Sequence, residues 1–150
     1  MRRREVVGWL SVYLAAAAAA SCSRQASVPG PVIRTDRGQV QGTIVDGVHR
    51  FLGIPYAEPP FGAHRFMPPV ERSPWEGVFD ASEYGLICPQ TGGVSVGRQP
   101  EGEDCLNLNV WTPDPSAKGL PVMVWAHGGG QVTGSGTEAT YDGTNFAKDG

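Results

Sequence analysis

The stretch PVMVWAHGGG, residues 121 to 130, restricts the possible folds more than any other part of the chain. Its first seven residues are apolar without alternation. A strand with one wet face alternates between apolar and polar positions, whereas one covered on both faces does not. Residues 121–127 are therefore expected to form a strand buried on both sides. That strand runs straight into three glycines. With no Cβ in the way, the backbone there can bend and approach a ligand closely. Successive N–H groups at such a bend can point into one cavity and stabilise an oxyanion. The competing reading is a tight surface turn with no chemistry. A phosphate cradle fits less well, because Thr133 holds the third glycine position of a dinucleotide fingerprint begun by Gly128 and Gly130, and no Gly-Lys-Ser/Thr occurs.

The rest of the chain supports a strand-rich domain. At 150 residues it has the size of one domain, and its 40% hydrophobic content suits a globular core. Twenty-one Gly and 13 Pro are too many for a helical bundle. Three β-rich runs, at 32–36, 39–46 and 48–54, are separated by short breaks (Arg37-Gly38 and Gly47) and predict an antiparallel meander. The proline-rich stretch from Pro55 to Pro74 predicts a long irregular crossing. LNLNVWT at 106–112 alternates, with Leu106, Leu108 and Val110 expected on one face. YDGTNFAKDG at the end predicts one short helical turn.

The N-terminus carries an export signature. Arg2, Arg3 and Arg4 precede an apolar stretch from Val6 to Ala20, and small residues follow at the expected cleavage point. That stretch is short for a membrane span. Two readings stand side by side. One is plain secretion after removal of residues 1–21. The other is a lipoprotein, in which Ala-Ala-Ser-Cys at 19–22 makes Cys22 the lipidated first residue and a membrane tether. Residues 22–31 are expected to form a flexible tether. Without residues 1–21, Lys+Arg falls from 12 to 9 and Asp+Glu from 15 to 14, so the net charge moves from −3 to −5. Such an acidic chain, lacking a basic cluster, is a poor nucleic-acid binder.

Export also changes how the cysteines are read, because thiols outside the cytosol tend to oxidise. With Cys22 set aside, Cys88 and Cys105 remain, and a bond between them would close a loop of about 18 residues, worth roughly 3 kcal/mol in the chain-entropy model. The spacing of cysteines and histidines matches no metal-binding pattern, and neither a metal nor a cofactor is expected. Inside the same stretch, GVSVG at 93–97 fits Gly-x-Ser-x-Gly, the pattern of a nucleophile elbow. An elbow needs a strand before its serine and a helix after it. PQTGG makes no strand and Pro100 blocks a helix interior, so Ser95 is expected to be an ordinary loop serine.

FLGIPYAEPP (51–60), GAHRF (62–66), CPQ (88–90), EDCLNLNVWTP (103–113), PVMVWAHGGG (121–130) and YDGTNFA (141–147) together resemble the N-terminal part of a type-B carboxylesterase. This is the carboxylesterase/lipase family of the α/β-hydrolase fold, related to the cholinesterases. The motifs follow the family's order and cover residues 32–150. The resemblance implies an α/β fold in which a small antiparallel meander leads into the central mixed sheet. It also implies a serine esterase acting on a small-molecule ester through an acyl-enzyme. By position, Gly129 and Gly130 would supply oxyanion-hole amides, Cys88 and Cys105 a disulfide, and Arg65 and Glu103 a structural ion pair. Arg65→Ala is then expected to weaken the fold and leave the chemistry alone. The neighbouring carboxylates Glu103 and Asp104 point to opposite sides of an extended chain, so they are not expected to act as an acid/base pair.

In that family the nucleophile, acid and base lie beyond the HGGG bend, so they are expected downstream of Gly150, and no catalytic side chain is assigned within these residues. His127 is read as a structural residue that pins the glycine bend. His49 and His64 are read as surface or packing residues. Gln131 stands where the family usually has an aromatic or apolar residue, near the acyl side of the pocket. The 150-residue polypeptide by itself is expected to be poorly folded and inactive. The reading from another class is a non-catalytic, esterase-like binding or adhesion protein.

Overall fold

A computed structural model describes residues 26–91 and 99–149. The export segment, Cys22 and Ser95 lie outside the described residues. The chain opens with the expected meander of β1 (Val28–Arg34), β2 (Gln39–Val45) and β3 (Val48–Pro55). Both pairings are antiparallel. Asp46 and Gly47 form the two-residue turn between β2 and β3 with φ of 51° and 79°, the left-handed geometry that lets a tight hairpin follow strand twist. At the other turn the Thr35 hydroxyl accepts from the amides of Arg37 and Gly38, both at 3.2 Å. Threonine side chains commonly satisfy turn backbone in this way.

β1 begins at Val28, inside the stretch expected to be a tether. Prolines in a strand argue against a central position, but β1 is at the sheet edge and its register shifts between Pro29 and Val32. The carbonyl of Gly30 accepts from Gln41 Nε2 at 2.9 Å, which seals the irregularity.

β3 pairs with β2 only between Val45–Val48 and Thr43–Arg50 and then diverges. A short β4 (Val78–Asp80) takes the vacated edge, parallel to Gln39–Gln41 of β2. β5 (Asn107–Thr112) pairs antiparallel with β3 on its other side. The sheet order is β1-β2-β3-β5, with β4 beside β2. The core lies where these strands meet. Val40, Phe51 and Ala81 are buried there, with Ile33, Ile54, Trp75 and Phe79 packed around them. The crossing between β3 and β4 is irregular, as expected, apart from one 3-10 turn at Gly62–His64. Trp75 anchors its end on the meander: its backbone amide donates to Arg37 O and its indole N–H to Gln39 O, both at 2.9 Å. A short helix α1 (Thr144–Asp149) follows near the end and touches β3 and β5.

One expectation is corrected. Residues 121–127 form no ladder, and their side chains are open: Val122 is 84% and Val124 87% exposed. A strand is defined by its neighbours, and no other described segment lies alongside this one to pair with it. In β5, Leu108 and Val110 share one face, as expected, and that face is exposed. The inward-reaching groups of β5 are Asn107 and Asn109. Asn109 Oδ1 accepts from the amide of Gly53 at 2.9 Å, and Asn107 Nδ2 donates to Leu86 O at 2.9 Å. Gly53 lies where the β3–β5 register shifts between Phe51 and Ile54, so its amide is left out of the ladder and needs a side-chain acceptor.

Candidate active site

The glycine bend is a closed loop. Gly129 has φ 124°, and Gly130 and Gln131 each have φ 62°. The carbonyl of Gly129 accepts from the amides of Val132 and Thr133, both at 3.1 Å. A Cβ on Gly129 would lie 1.8 Å from Thr133 O, so only glycine fits. Gly134 closes the loop from the far side, where a Cβ would come within 2.5 Å of Gly128 O and 3.0 Å of His127 Nδ1. His127 Nδ1 donates to the carbonyl of Gly128 at 2.8 Å, a contact that pins the start of the bend. Among the described residues, the amides of Gly129 and Gly130 donate to no protein acceptor, and both residues are exposed. Two adjacent free donors on a bend that requires glycine at position 129 are the chemical content of this site.

What holds the bend against the rest of the molecule was missed in the sequence. Gln90 Oε1 accepts from the amide of Gly134 at 2.8 Å, and Gln90 Nε2 donates to the carbonyl of Gly134 at 3.1 Å. The same Nε2 donates to Cys88 O at 3.1 Å. Two residues beyond Gly134, Asn109 Nδ2 donates to Gly136 O at 3.2 Å. Between these ties Ser135 is buried, with its hydroxyl 2.7 Å from that of Thr137. Two carboxamides therefore carry the bend, one from the loop after β4 and one from β5. In sequence these residues stood out only as the last letter of CPQ and as the regular asparagines of LNLNV.

Cys88 and Cys105, the pair expected to be bridged, lie side by side as thiols, Cys88 exposed and Cys105 buried. Burial, and then the neighbouring Cys88 sulfur, push the Cys105 thiol up to about 12. Tyr56 is raised in the same way, first by burial and then by the two cysteines. The base of this loop is closed by backbone: Ile87 N donates to Pro100 O at 3.1 Å and Gly102 N to Ile87 O at 3.0 Å.

The ion pair also forms between different residues. Arg65 is exposed at the end of the 3-10 turn, its guanidinium 5.1 Å from the ring centroid of Phe66, and Glu103 is exposed. The pair at this junction is Arg72 with Asp104, bidentate at 3.1 and 3.0 Å, with Glu58 Oε2 at 3.4 Å from the same guanidinium. Successive residues of an extended segment face opposite ways. Asp104 faces the crossing, and Glu103 faces outward. Glu58 also accepts from the amide of Ser73 at 2.8 Å. The Ser73 hydrogen bonds, and then Arg72, hold its carboxyl below the ordinary range.

The exposed bend of free glycine amides is tied to β5 and to the loop after β4, beside a sheet that covers part of an α/β-hydrolase fold. The chain belongs to the carboxylesterase family, whose profile matches residues 29–150. It is 47% identical over 123 residues to the para-nitrobenzyl esterase of Bacillus subtilis strain 168, covering 79% of this chain and 25% of that protein. It is 44% identical over 135 residues to the acetylcholinesterase of Electrophorus electricus, covering 79% and 21%. Among solved structures, a thermophilic PNB esterase superposes with a TM-score of 0.72 at 46% identity, covering 77% of this chain and 25% of that one. A Geobacillus stearothermophilus carboxylesterase does so with a TM-score of 0.71 at 41% identity, covering 79% and 24%. The chain spans about a quarter of the length of these relatives.

Proposed function

We propose that these residues form the oxyanion-binding part of a serine carboxylesterase acting on a small-molecule ester. The observation that carries this is the pair of free amides at Gly129 and Gly130 on a bend that only glycine at position 129 allows. In the complete enzyme a serine hydroxyl attacks the ester carbonyl carbon while a histidine, oriented by an acidic partner, takes its proton. The carbonyl oxygen becomes negatively charged as the carbon turns tetrahedral, and the two amides donate to it. The C–O bond to the alcohol then breaks, the histidine returns the proton to the leaving oxygen, and water repeats the sequence on the acyl-enzyme.

The test is hydrolysis of p-nitrophenyl acetate by the complete enzyme and by its Gly129→Ala variant, whose Cβ would collide with Thr133 O and displace the donors. Losing a preorganised donor lowers kcat by about 100- to 1,000-fold with little change in KM. Undiminished kcat in this variant would sink the reading.

Export and an anchored or secreted location are part of the proposal, supported by the charged, apolar and small-residue order of residues 2–22. A mature N-terminus at residue 23 or later, read by mass spectrometry, would exclude lipidation of Cys22. In an oxidising compartment the two adjacent thiols would lose two hydrogens to an oxidant and join Cys88 to Cys105.

A further inference from the structure

We propose that Gln90 is a positioning residue for ester hydrolysis, setting the direction in which the Gly129 and Gly130 amides point. The inference rests on the esterase reading above and adds a residue to it.

The bend is stiff within itself and loosely connected to everything else. A Cβ on Gly134 would meet Gly128 O, one on Gly129 would meet Gly134 N, and Gly129 O accepts from the amides of Val132 and Thr133, so Gly134 lies directly against the residues that carry the donors. Moving Gly134 therefore moves the oxyanion donors. Among the described residues, the hydrogen bonds reaching residues 127–137 from elsewhere in the chain come from Gln90 and Asn109 alone. Asn109 supplies one, on Gly136. Gln90 supplies two, to the amide and the carbonyl of the same residue, as a strand would.

Only a carboxamide can do this. The edge of Gly134 offers one donor and one acceptor side by side, and Gln presents the matching acceptor and donor. Glutamate can accept from the Gly134 amide but would set a carboxylate against the Gly134 carbonyl. Leucine keeps the bulk and offers neither bond. The third bond of Gln90, to Cys88 O, ties the clamp to the start of the 88–105 loop, so the bend is referenced to a backbone-closed base.

A bend released from Gln90 tilts, and donors displaced by about 1 Å lose about 10- to 100-fold in turnover while substrate binding is nearly untouched. The experiment compares wild-type complete enzyme with Gln90→Leu and Gln90→Glu. The readouts are kcat and KM for p-nitrophenyl acetate, and affinity for a trifluoromethyl ketone, whose adduct carries the oxyanion. Gln90→Leu is expected to lower kcat by about 10- to 100-fold with KM within about twofold, and to weaken the ketone in parallel. Gln90→Glu, nearly isosteric and keeping one of the two Gly134 bonds, is expected to recover part of both.

A purely structural role would lower Tm and leave kcat and ketone affinity at low temperature unchanged; that outcome overturns the proposal. A wild-type enzyme that hydrolyses no ester sinks the esterase reading and this role with it. An active wild-type enzyme whose two Gln90 variants keep full kcat and ketone affinity sinks this role alone.

Discussion

The meander and the glycine bend are held by opposite means. In β1–β3 the backbone satisfies itself through two antiparallel ladders, and Val40 and Phe51 bury their side chains on the spot. Residues 121–137 have no ladder, expose Val122 and Val124, and depend on two carboxamides from distant segments. A region built on local pairing is rigid by its own sequence. A region held at two points is placed by others, which allows its donors to remain free for a ligand.

The largest test of that contrast is mutational. Phe51 is 4% exposed and central to the core, so Phe51→Ala should cost about 3–5 kcal/mol. Val124 is 87% exposed, so Val124→Ala should change stability by about 0.5 kcal/mol or less. Urea unfolding of both variants decides it. Equal losses would show that residues 121–127 are packed after all and would remove the distinction.

How much of this was legible depends on whether the cause was local. The hairpins were readable because alternation and Asp46-Gly47 act within a few residues. The glycine bend was readable because HGGG has few other uses. Val28–Pro31 read as a tether because prolines mark loops, and only the edge position makes them acceptable in a strand. LNLNV was legible as an alternating strand with Leu108 and Val110 on one face, but not which face is covered. The unladdered amide of Gly53, 56 positions away from Asn109, decides that, and nothing near residue 109 announces it. Gln90 was invisible for the same reason: its partner is 44 positions along the chain. The ion pair was placed at the correct junction but on the wrong residues.

That correction gives the next test, on a region between the two extremes. The crossing from 56 to 74 is pinned by charge, with Arg72 held on Asp104 and Glu58. These side chains keep some solvent contact, so the network is worth much less than a buried pair. Arg72→Ala should cost about 1 kcal/mol, and Arg65→Ala, whose side chain is exposed, about 0.5 kcal/mol or less. The order of the two losses is the point. A larger loss at Arg65 would restore the pairing expected from the resemblance.

The smallest effect lies in acid. Glu58 is held below its usual value of 4.5 by the Ser73 hydrogen bonds first and Arg72 after them. A depressed carboxyl stabilises the folded chain above its unfolded value, and that contribution is lost as pH falls from about 4.5 through the lower folded value. Asp80 and Asp114 are depressed in the same direction by the hydrogen bonds of Ser82 and Ser116, so the whole chain weakens in acid whatever Glu58 does. Glu58→Gln isolates one share. The stability gap between wild type and this variant should be steady at neutral pH and shrink below about pH 4.5, because protonated glutamate and glutamine are alike in charge. A gap that stays constant through that range would mean that Glu58 holds the crossing by shape and hydrogen bonding alone. The crossing would then resemble the carboxamide-held bend more than a region pinned by charge.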